Sequence, residues 1–363
     1  MTMERIFNFN AGPATLPLVV LEEAQSELLN FKGTGMSVLE NSHRTKEYEA
    51  INSEAEALVK ELLGVPENYR VLFLQGGAST QFAAVPMNLV SADSHADYIL
   101  TGAWAEKAYK EASKFAKTNV AASTKEENYT RIPRADEIKV SKGPAYVHLC
   151  SNNTIFGTQW KSFPDLGDVS LVGDMSSDIM SRRFDVSKFG LIYAGAQKNL
   201  GPAGVTVVII RKDLLEGIPS SIPSMLRYDI HAKNDSLYNT PPSFSVYMVN
   251  LVLRWLKNNG GLAAAEKRNT EKAALIYEAI DNSSGYFRGH ALKDSRSLMN
   301  ITFRLPSEEL EKTFAVEAAK QGMIGLKGHR SVGGIRASVY NAMTVEGCKA
   351  LVDFMKAFQS KNG

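Results

Sequence analysis

The sequence predicts an α/β protein, with a large domain built on a mostly parallel central sheet flanked by helices and a small C-terminal α+β domain. Short apolar runs alternate with amphipathic helical segments from about residue 70 onward, which is typical of βαβ units. A second pattern, β-α-β-α, covers residues 299–360 and predicts the smaller domain. Each predicted strand of the large domain ends in a polar or glycine-rich segment. Since ligands bind beyond the carboxyl ends of such strands, we expect these segments to converge on one site.

The N-terminal part of the chain predicts an extended arm followed by two helices. The arm ends near Gly12-Pro13, where both residues disfavour regular structure. Amphipathic helices are predicted at 18–29 and 48–63, and Gly64 stops the second one. The domain assignment is an arm at 1–15, a large domain at 16–260 and a small domain at 261–363.

The middle of the chain alternates apolar strands with helices. The strands are predicted at 71–74, 97–100, 145–150, 169–172, 191–194 and 205–210. Helices follow the first two strands and run to about Val90 and Phe115. A polar, proline-containing loop is predicted over 231–242, with Ser243 as the N-cap of a long helix that ends near Gly260.

The C-terminal region begins with a linker helix. It is predicted to run from about Leu262 to Asp281. The β-α-β-α unit then follows, with strands at 299–305 and 334–340 and helices at 308–321 and 344–360.

The composition excludes several functional classes. A net charge of +2 gives no reason to expect nucleic acid or an anionic membrane as a partner. No apolar run approaches the roughly 18 residues of a membrane span, and the N-terminus lacks the apolar stretch of a signal peptide. The two cysteines, Cys150 and Cys348, form neither a disulfide framework nor a metal site. We therefore expect a cytoplasmic protein without a metal.

Lys198 is the most informative residue, because it lies in a short loop between two apolar runs, 191–194 and 205–210. Most lysines reach solvent at strand ends, and a buried lysine is costly unless it is paired or used covalently. Asp174 follows an upstream apolar strand and is a candidate site carboxylate. The alternative interpretation is that it serves as an N-cap or turn residue. A lysine and a carboxylate at two strand ends match a pyridoxal phosphate site, where lysine forms the Schiff base and the acid pairs with the pyridinium nitrogen.

Four segments resemble the phosphoserine aminotransferase family, which belongs to the class V aminotransferases. They are Phe7–Pro13, Ser42–Arg44, Asp174–Gly204 and Lys327–Arg330. The resemblance runs from about Ile6 to about Phe358 and implies a fold type I pyridoxal-phosphate-dependent transferase. It implies that Lys198 binds the cofactor and later acts as general base, and that Asp174 keeps the ring nitrogen protonated.

Further cofactor contacts are assigned partly from the residues and partly from the resemblance. The Gly76–Thr80 stretch opens a helix, so its free amides favour phosphate binding, although a plain strand-to-helix turn is an equal alternative. The resemblance places Ala78 and Ser79 at the cofactor phosphate; some family members carry arginine at the position of Ser79. It implies further contacts from Trp104 by stacking, Thr154 near the phenolic oxygen, Gln197 at the phosphate, and Asn239 and Thr240 from the other subunit of a homodimer.

The substrates implied by the resemblance carry two anions each. Arginine suits both, because its planar fork makes bidentate contacts. His43, Arg44, His329 and Arg330 resemble the family's cluster for the distal anion, and Arg336 resembles the clamp of the α-carboxylate. The expected reaction converts L-glutamate and 3-phosphohydroxypyruvate into 2-oxoglutarate and O-phospho-L-serine by ping-pong kinetics, in serine and in some organisms pyridoxine biosynthesis.

Two alternatives remain open. One is another class V enzyme, such as an alanine–glyoxylate-type aminotransferase or a cysteine desulfurase; the positions of Cys150 and Cys348 do not suit the second. The other is a fold type I binding protein without catalysis, against which Asp174, Lys198 and Arg336 argue.

Overall fold

The computed structural model describes residues 5–363, and a seven-stranded sheet forms its centre. The sheet order is β2-β10-β9-β8-β5-β3-β4. Its strands are β2 (Tyr69–Leu74), β3 (His95–Leu100), β4 (Lys117–Ser123), β5 (Val147–Cys150), β8 (Leu171–Asp174), β9 (Phe189–Gly195) and β10 (Thr206–Arg211). Only β10 runs against its neighbours, so the sheet is mostly parallel, as predicted.

Helices cover the sheet and connect its strands. They are α1 (Leu18–Glu27), α2 (Lys46–Leu63), α3 (Gly77–Leu89), α4 (Ala103–Ala112), α5 (Tyr228–Lys233), α6 (Ser243–Asn258) and α7 (Gly261–Asp281). Successive strand side chains point to opposite faces, so each face of the sheet packs its own apolar core. The nearly continuous apolar character of β9 and β10 follows from burial on both faces.

The C-terminal region forms a separate apolar core around a small antiparallel sheet. Its strands β11 (Arg288–Gly289), β12 (Asn300–Arg304) and β14 (Ile335–Ser338) lie in that order. The helices α8 (Glu308–Lys320) and α9 (Val345–Asn362) complete it. A two-stranded hairpin of the large region joins β6 (Asn152–Asn153) to β7 (Thr158–Gln159).

The N-terminal segment belongs structurally to this C-terminal core. Strand β1 (Phe7–Asn8) pairs in parallel with β13 (Met323–Ile324), and Phe9 is buried among the C-terminal apolar residues. Helix α7 spans both cores, because Leu262 packs with the large one and Ile276 with the small one. Residues 1–4 of the predicted arm lie outside the described residues, and the domain boundaries stay a prediction.

Two predictions about local structure were wrong, and an edge strand of the main sheet was missed. The edge strand β4 was not predicted, because Lys117, Asn119 and Val120 are exposed and give no clear apolar alternation. His231 lies in the short helix α5 rather than in a loop, and it is buried. Ser243 is the first helical residue of α6 and makes no side-chain cap, since Pro242 occupies the N-cap position.

Other features limit the kind of site the fold can carry. Within residues 5–363, no helix is long and apolar enough to cross a membrane. The same residues contain no group of three or more His, Cys, Asp or Glu side chains that could hold a metal ion. Cys150 and Cys348 are both buried free thiols.

Candidate active site

A cavity of about 330 Å³ opens at the carboxyl edge of the parallel strands. The register explains why: Leu74, Thr206 and Gly195 are aligned across β2, β10 and β9, and Asp174 is aligned with Cys150 on β5. The segments that follow β2, β5, β8 and β9, and the segment that precedes the antiparallel β10, therefore meet at one edge. The lining residues are Ala11, Gly12, Gly77, Ala78, Ser79, Trp104, Cys150, Asn152, Thr154, Asp174, Ser176, Ser177, Gln197, Lys198, His329 and Arg336.

Asp174 ends strand β8 at the floor of this cavity and is only 5 % exposed. Its Oδ1 accepts hydrogen bonds from the backbone N–H of Ser176 at 3.0 Å and from the Ser176 hydroxyl at 2.7 Å. Burial raises the pKa of the Asp174 carboxyl, while the Ser176 hydrogen bonds and the nearby Lys198 act against that rise. The carboxyl is thus held in one orientation and in a weakly solvated environment.

Lys198 lies in the tight loop that joins β9 to β10, and its side chain is half-buried. Burial lowers the pKa of its amine, and the charge of Asp174 partly offsets that effect. Its Nζ lies 5.8 Å from the centroid of the Trp104 ring. Gly12 allows this close packing, because a Cβ at that residue would lie 3.1 Å from Cγ of Lys198.

The N-terminus of α3 forms another wall of the cavity. Gly76 precedes it with φ +92°, a left-handed conformation that favours glycine. The first backbone N–H groups of a helix have no partner within the helix, and here they belong to Gly77, Ala78 and Ser79, which line the cavity. Small side chains let an anion approach these amides closely. The arrangement can bind a phosphate without a cationic side chain at Ser79.

Trp104, Thr154 and Arg336 are linked although they come from three distant parts of the chain. Trp104 lies in the first turn of α4, and its indole N–H donates to the Thr154 hydroxyl at 3.1 Å. Nη1 of Arg336 donates to the Thr154 carbonyl oxygen at 3.0 Å. Burial lowers the pKa of the Arg336 guanidinium, and its Nε is buried without a hydrogen-bond partner within residues 5–363. A half-buried guanidinium with a free donor can bind a carboxylate.

His329 adds a further basic group to the mouth of the cavity. Burial lowers the pKa of its imidazole, and the neighbouring charges of Arg336, Arg330 and Lys107 lower it further. Arg330 is exposed and does not line the cavity. The positive charges of Arg336, Arg330 and Lys107 around His329 favour a substrate with a second anion.

Besides Arg330, four predicted residues are not brought to this cavity by the single chain. His43 and Arg44 lie in the turn before α2. His43 is half-buried, Arg44 is exposed, and neither residue lines the cavity that contains Lys198. Asn239 lines a second cavity of about 310 Å³ on the other side of Gly76. Thr240 is exposed, and its carbonyl accepts a hydrogen bond from Gln75. Gln197, by contrast, does line the cavity that contains Lys198, which we term the main cavity.

The sequence interpretation missed several lining residues. Ser176 was not among the predicted site residues, yet it holds Asp174 and also accepts the Gly195 N–H at 3.1 Å. Asn152 and Ser177 hydrogen-bond each other at the floor of the cavity. Their position directly after β5 and β8 was the available signal, since strand-end residues line such sites.

Comparison with known proteins agrees with this geometry. The family model for class V aminotransferases matches residues 6–351. A phosphoserine aminotransferase from Herpetosiphon aurantiacus is 62% identical over 99% of each chain. The solved phosphoserine aminotransferase from Bacillus circulans subsp. alkalophilus is 58% identical, with a TM-score of 0.98 over 99% of each chain.

A second solved structure bears on the cavity itself. It is a PLP-bound phosphoserine aminotransferase from Trichomonas vaginalis, which is 41% identical with a TM-score of 0.93 and covers 97% of this chain and 100% of its own. The predicted α/β fold of the fold type I enzymes is confirmed by these neighbours. Both the matched residues and the full-length identity place the chain in the class V aminotransferase family, among the phosphoserine aminotransferases.

Proposed function

We propose that this protein is a pyridoxal-phosphate-dependent phosphoserine aminotransferase. The observation that carries this proposal is the cavity in which a low-pKa amine at Lys198, a buried carboxyl at Asp174 and the amides of the α3 N-terminus meet. The guanidinium of Arg336 in its lining, and the charges of Arg330 and Lys107 near His329, distinguish the site from one for small neutral substrates.

The residues present fit pyridoxal phosphate in three respects. The amides of Gly77, Ala78 and Ser79 suit its phosphate. The Asp174 carboxyl, fixed by Ser176, suits the protonated ring nitrogen, and that positive charge would replace the solvation that burial removes. Lys198 supplies the amine that binds the aldehyde, and its lowered pKa increases the neutral, nucleophilic fraction.

The chain's own groups then perform the proton transfers. When bound, pyridoxal phosphate supplies an aldehyde for the amino group and a ring that accepts electron density from the substrate Cα. Lys198 removes the proton from the substrate Cα as general base. It would then pass that proton to the cofactor carbon. Its lowered pKa suits that role, because a base works best when its pKa lies near the operating pH. The ring of Trp104 lies near Nζ of Lys198 and would stack on the cofactor ring.

The substrate is held at two anionic ends. Arg336 binds the α-carboxylate with its free Nε and one Nη, which fixes the orientation of Cα toward Lys198. His329 and Arg330 bind the distal anion, which is a phosphate in O-phospho-L-serine and a carboxylate in L-glutamate. One site therefore serves both half-reactions, with 3-phosphohydroxypyruvate and 2-oxoglutarate as the keto acids.

The protein works as a homodimer in this proposal. His43, Arg44, Asn239 and Thr240 do not line the main cavity of their own chain. In a dimer with the sites at the interface, these residues would serve the cavity of the other subunit. We place the enzyme in the cytoplasm, in serine and possible pyridoxine biosynthesis.

The visible absorption spectrum of the purified protein loaded with pyridoxal phosphate tests the function. We expect a band from the lysine-bound cofactor that is lost on addition of L-glutamate and also of O-phospho-L-serine. Addition of 3-phosphohydroxypyruvate should restore it. A band that responds to L-alanine more readily than to O-phospho-L-serine would favour an alanine–glyoxylate-type enzyme. Absence of any band would favour a binding protein without catalysis.

A further inference from the structure

The segment Lys327–Gly334, which we term the anion loop, brings His329 to the wall of the cavity and carries the exposed Arg330 next to it. The loop closes on itself, because the Gly328 N–H donates to the Gly334 carbonyl at 2.8 Å and the Gly333 N–H donates to the His329 carbonyl at 2.8 Å. Its base is fixed to β14 by a bridge between Lys327 and Ile335. These contacts shape the loop and join its base to β14.

An ion pair outside the cavity, with a buried Glu311 and a partly exposed Arg304, attaches the loop further to β12 and α8. Glu311, in the first part of α8, has a side chain that is 7 % exposed, and its Oε1 accepts from Nε of Arg304 on β12. The same Oε1 accepts the Leu305 N–H at 3.3 Å, while Oε2 accepts the Gly334 N–H at 3.0 Å. Nη1 of Arg304 donates to the Val332 carbonyl at 2.9 Å. The pair therefore holds the anion loop at two backbone groups.

The local packing leaves little freedom in this arrangement. Gly333 and Gly334 adopt φ values of +74° and +73°, which favour glycine. A Cβ on Gly334 would lie 2.7 Å from Cδ of Arg304, so the arginine side chain lies directly against the glycine backbone. Neither Arg304 nor Glu311 lines the cavity that contains Lys198.

We propose that Arg304 and Glu311 are positioning residues that set the affinity for substrates with a distal anion. This inference rests on the proposed function, because it assigns His329 and Arg330 to that anion. A loop held at Gly334 and Val332 presents its basic side chains in one geometry, and preorganised donors bind a charged group more strongly than mobile ones. The pair acts through the loop and does not touch the substrate.

The substitution Glu311→Gln tests the role of the carboxylate with little change of shape. Each Glu311 oxygen accepts at least one N–H, so the amide NH₂ of glutamine would face another donor at one of the two places. Arg304→Met independently removes the contact to Val332, and because the Arg304 side chain is 40 % exposed this variant should fold. Asp281→Asn is the matched control, since Asp281 forms a two-contact ion pair with Arg296 away from the anion loop.

The experiment measures single-turnover loss of the visible band of the loaded enzyme with O-phospho-L-serine and, separately, with L-alanine, which has no distal anion. We expect both test variants to weaken the apparent binding of O-phospho-L-serine by about tenfold, below the ~10²-fold cost that a 1 Å misplacement can reach. The rate with L-alanine should stay within about twofold of wild type, as should both rates of the Asp281→Asn enzyme.

A double-substitution cycle identifies the route of the effect. In a His329→Ala, Arg330→Ala background, Glu311→Gln should cause no further loss with O-phospho-L-serine, because the groups through which it acts are absent. An equal loss with both amino acids, or no loss with O-phospho-L-serine, would overturn the inference while leaving the proposed function intact. A wild-type enzyme that reacts with L-alanine but not with O-phospho-L-serine would instead overturn the proposed function, and this inference with it.

Discussion

Two enclosed lysines in this molecule have opposite environments. Lys272, on α7 in the C-terminal region, is 1 % exposed, and its Nζ donates to the carbonyl oxygens of Val339, Tyr340 and Met343 at 2.7–3.0 Å. Lys198, in the cavity, is half-buried and makes no hydrogen bond to any of residues 5–363 through Nζ. Burial lowers the pKa of both amines, that of Lys272 to about 8.

The difference shows that burial and a lowered pKa do not by themselves identify a reactive amine. All three N–H groups of the Lys272 ammonium donate to backbone carbonyls, so this amine stabilises the fold and has no free donor. Lys198 faces an aromatic ring, a carboxyl and open volume, which leaves its nitrogen free to form a bond. Substitutions at the two sites should therefore separate catalysis from stability.

The largest effect is expected for Lys198→Ala. In the proposed mechanism this substitution removes both the nucleophile and the general base, which should lower kcat by about 10⁴-fold or more. The melting temperature of the apoprotein should change little, because Nζ makes no hydrogen bond that folding requires. Single-turnover kinetics and thermal unfolding of the same preparation check this. Full activity in Lys198→Ala would contradict the assigned mechanism.

Asp174→Asn should have the next largest effect. The amide cannot balance a positive charge on the ring nitrogen, and we expect a loss of about 10²- to 10³-fold in kcat, comparable with removal of one preorganised electrostatic contact. Ser176→Ala is a graded companion, since it removes one of the two hydrogen bonds that orient the carboxyl. Steady-state kinetics with L-glutamate measure both. Equal activity of Asp174→Asn and wild type would remove Asp174 from the mechanism.

Lys272→Met should reverse the pattern. It leaves three buried carbonyl groups without their donor, and we expect the free energy of unfolding to fall by about 3 kcal/mol. The activity per folded molecule should be retained, because Lys272 does not line the cavity. Urea denaturation together with active-site titration separates the two quantities. A loss of activity in fully folded protein would show that Lys272 contributes to activity as well as to stability.

The smallest effect concerns the pH at which Lys198 becomes reactive. Because its folded-state pKa is lowered, the neutral amine of the apoprotein should appear at a lower pH than for an ordinary lysine. Asp174 raises the pKa of Lys198, so Asp174→Asn should move the midpoint lower still. Competitive acetylation followed by mass spectrometry, across a pH series, measures both midpoints. A higher midpoint in Asp174→Asn would contradict the assigned electrostatics.

The sequence predicts the strand-end parts of the site well, for a physical reason. Asp174 and Lys198 each follow an apolar run, and the meeting of strand ends at one edge is a general property of parallel sheets. Arg336 is different, because its contact with Thr154 joins residues 182 positions apart and depends on how the two cores pack. The pairing of Glu311 with Gly334 likewise has no periodic or local signal. The role of Arg336 was assigned from the family resemblance. Neither that resemblance nor a sequence pattern indicated a role for Glu311.

The path of residues 7–14 sets a limit on motion. The Phe9 N–H donates to the Ile324 carbonyl in the C-terminal region, and the Ala14 N–H donates to the carbonyl of Gln197, next to Lys198. The chain between Phe9 and Ala14 can span at most about 18 Å when fully extended. This stretch is a tether of fixed length, so an outward swing of the C-terminal region beyond its reach must first release one of its two anchors.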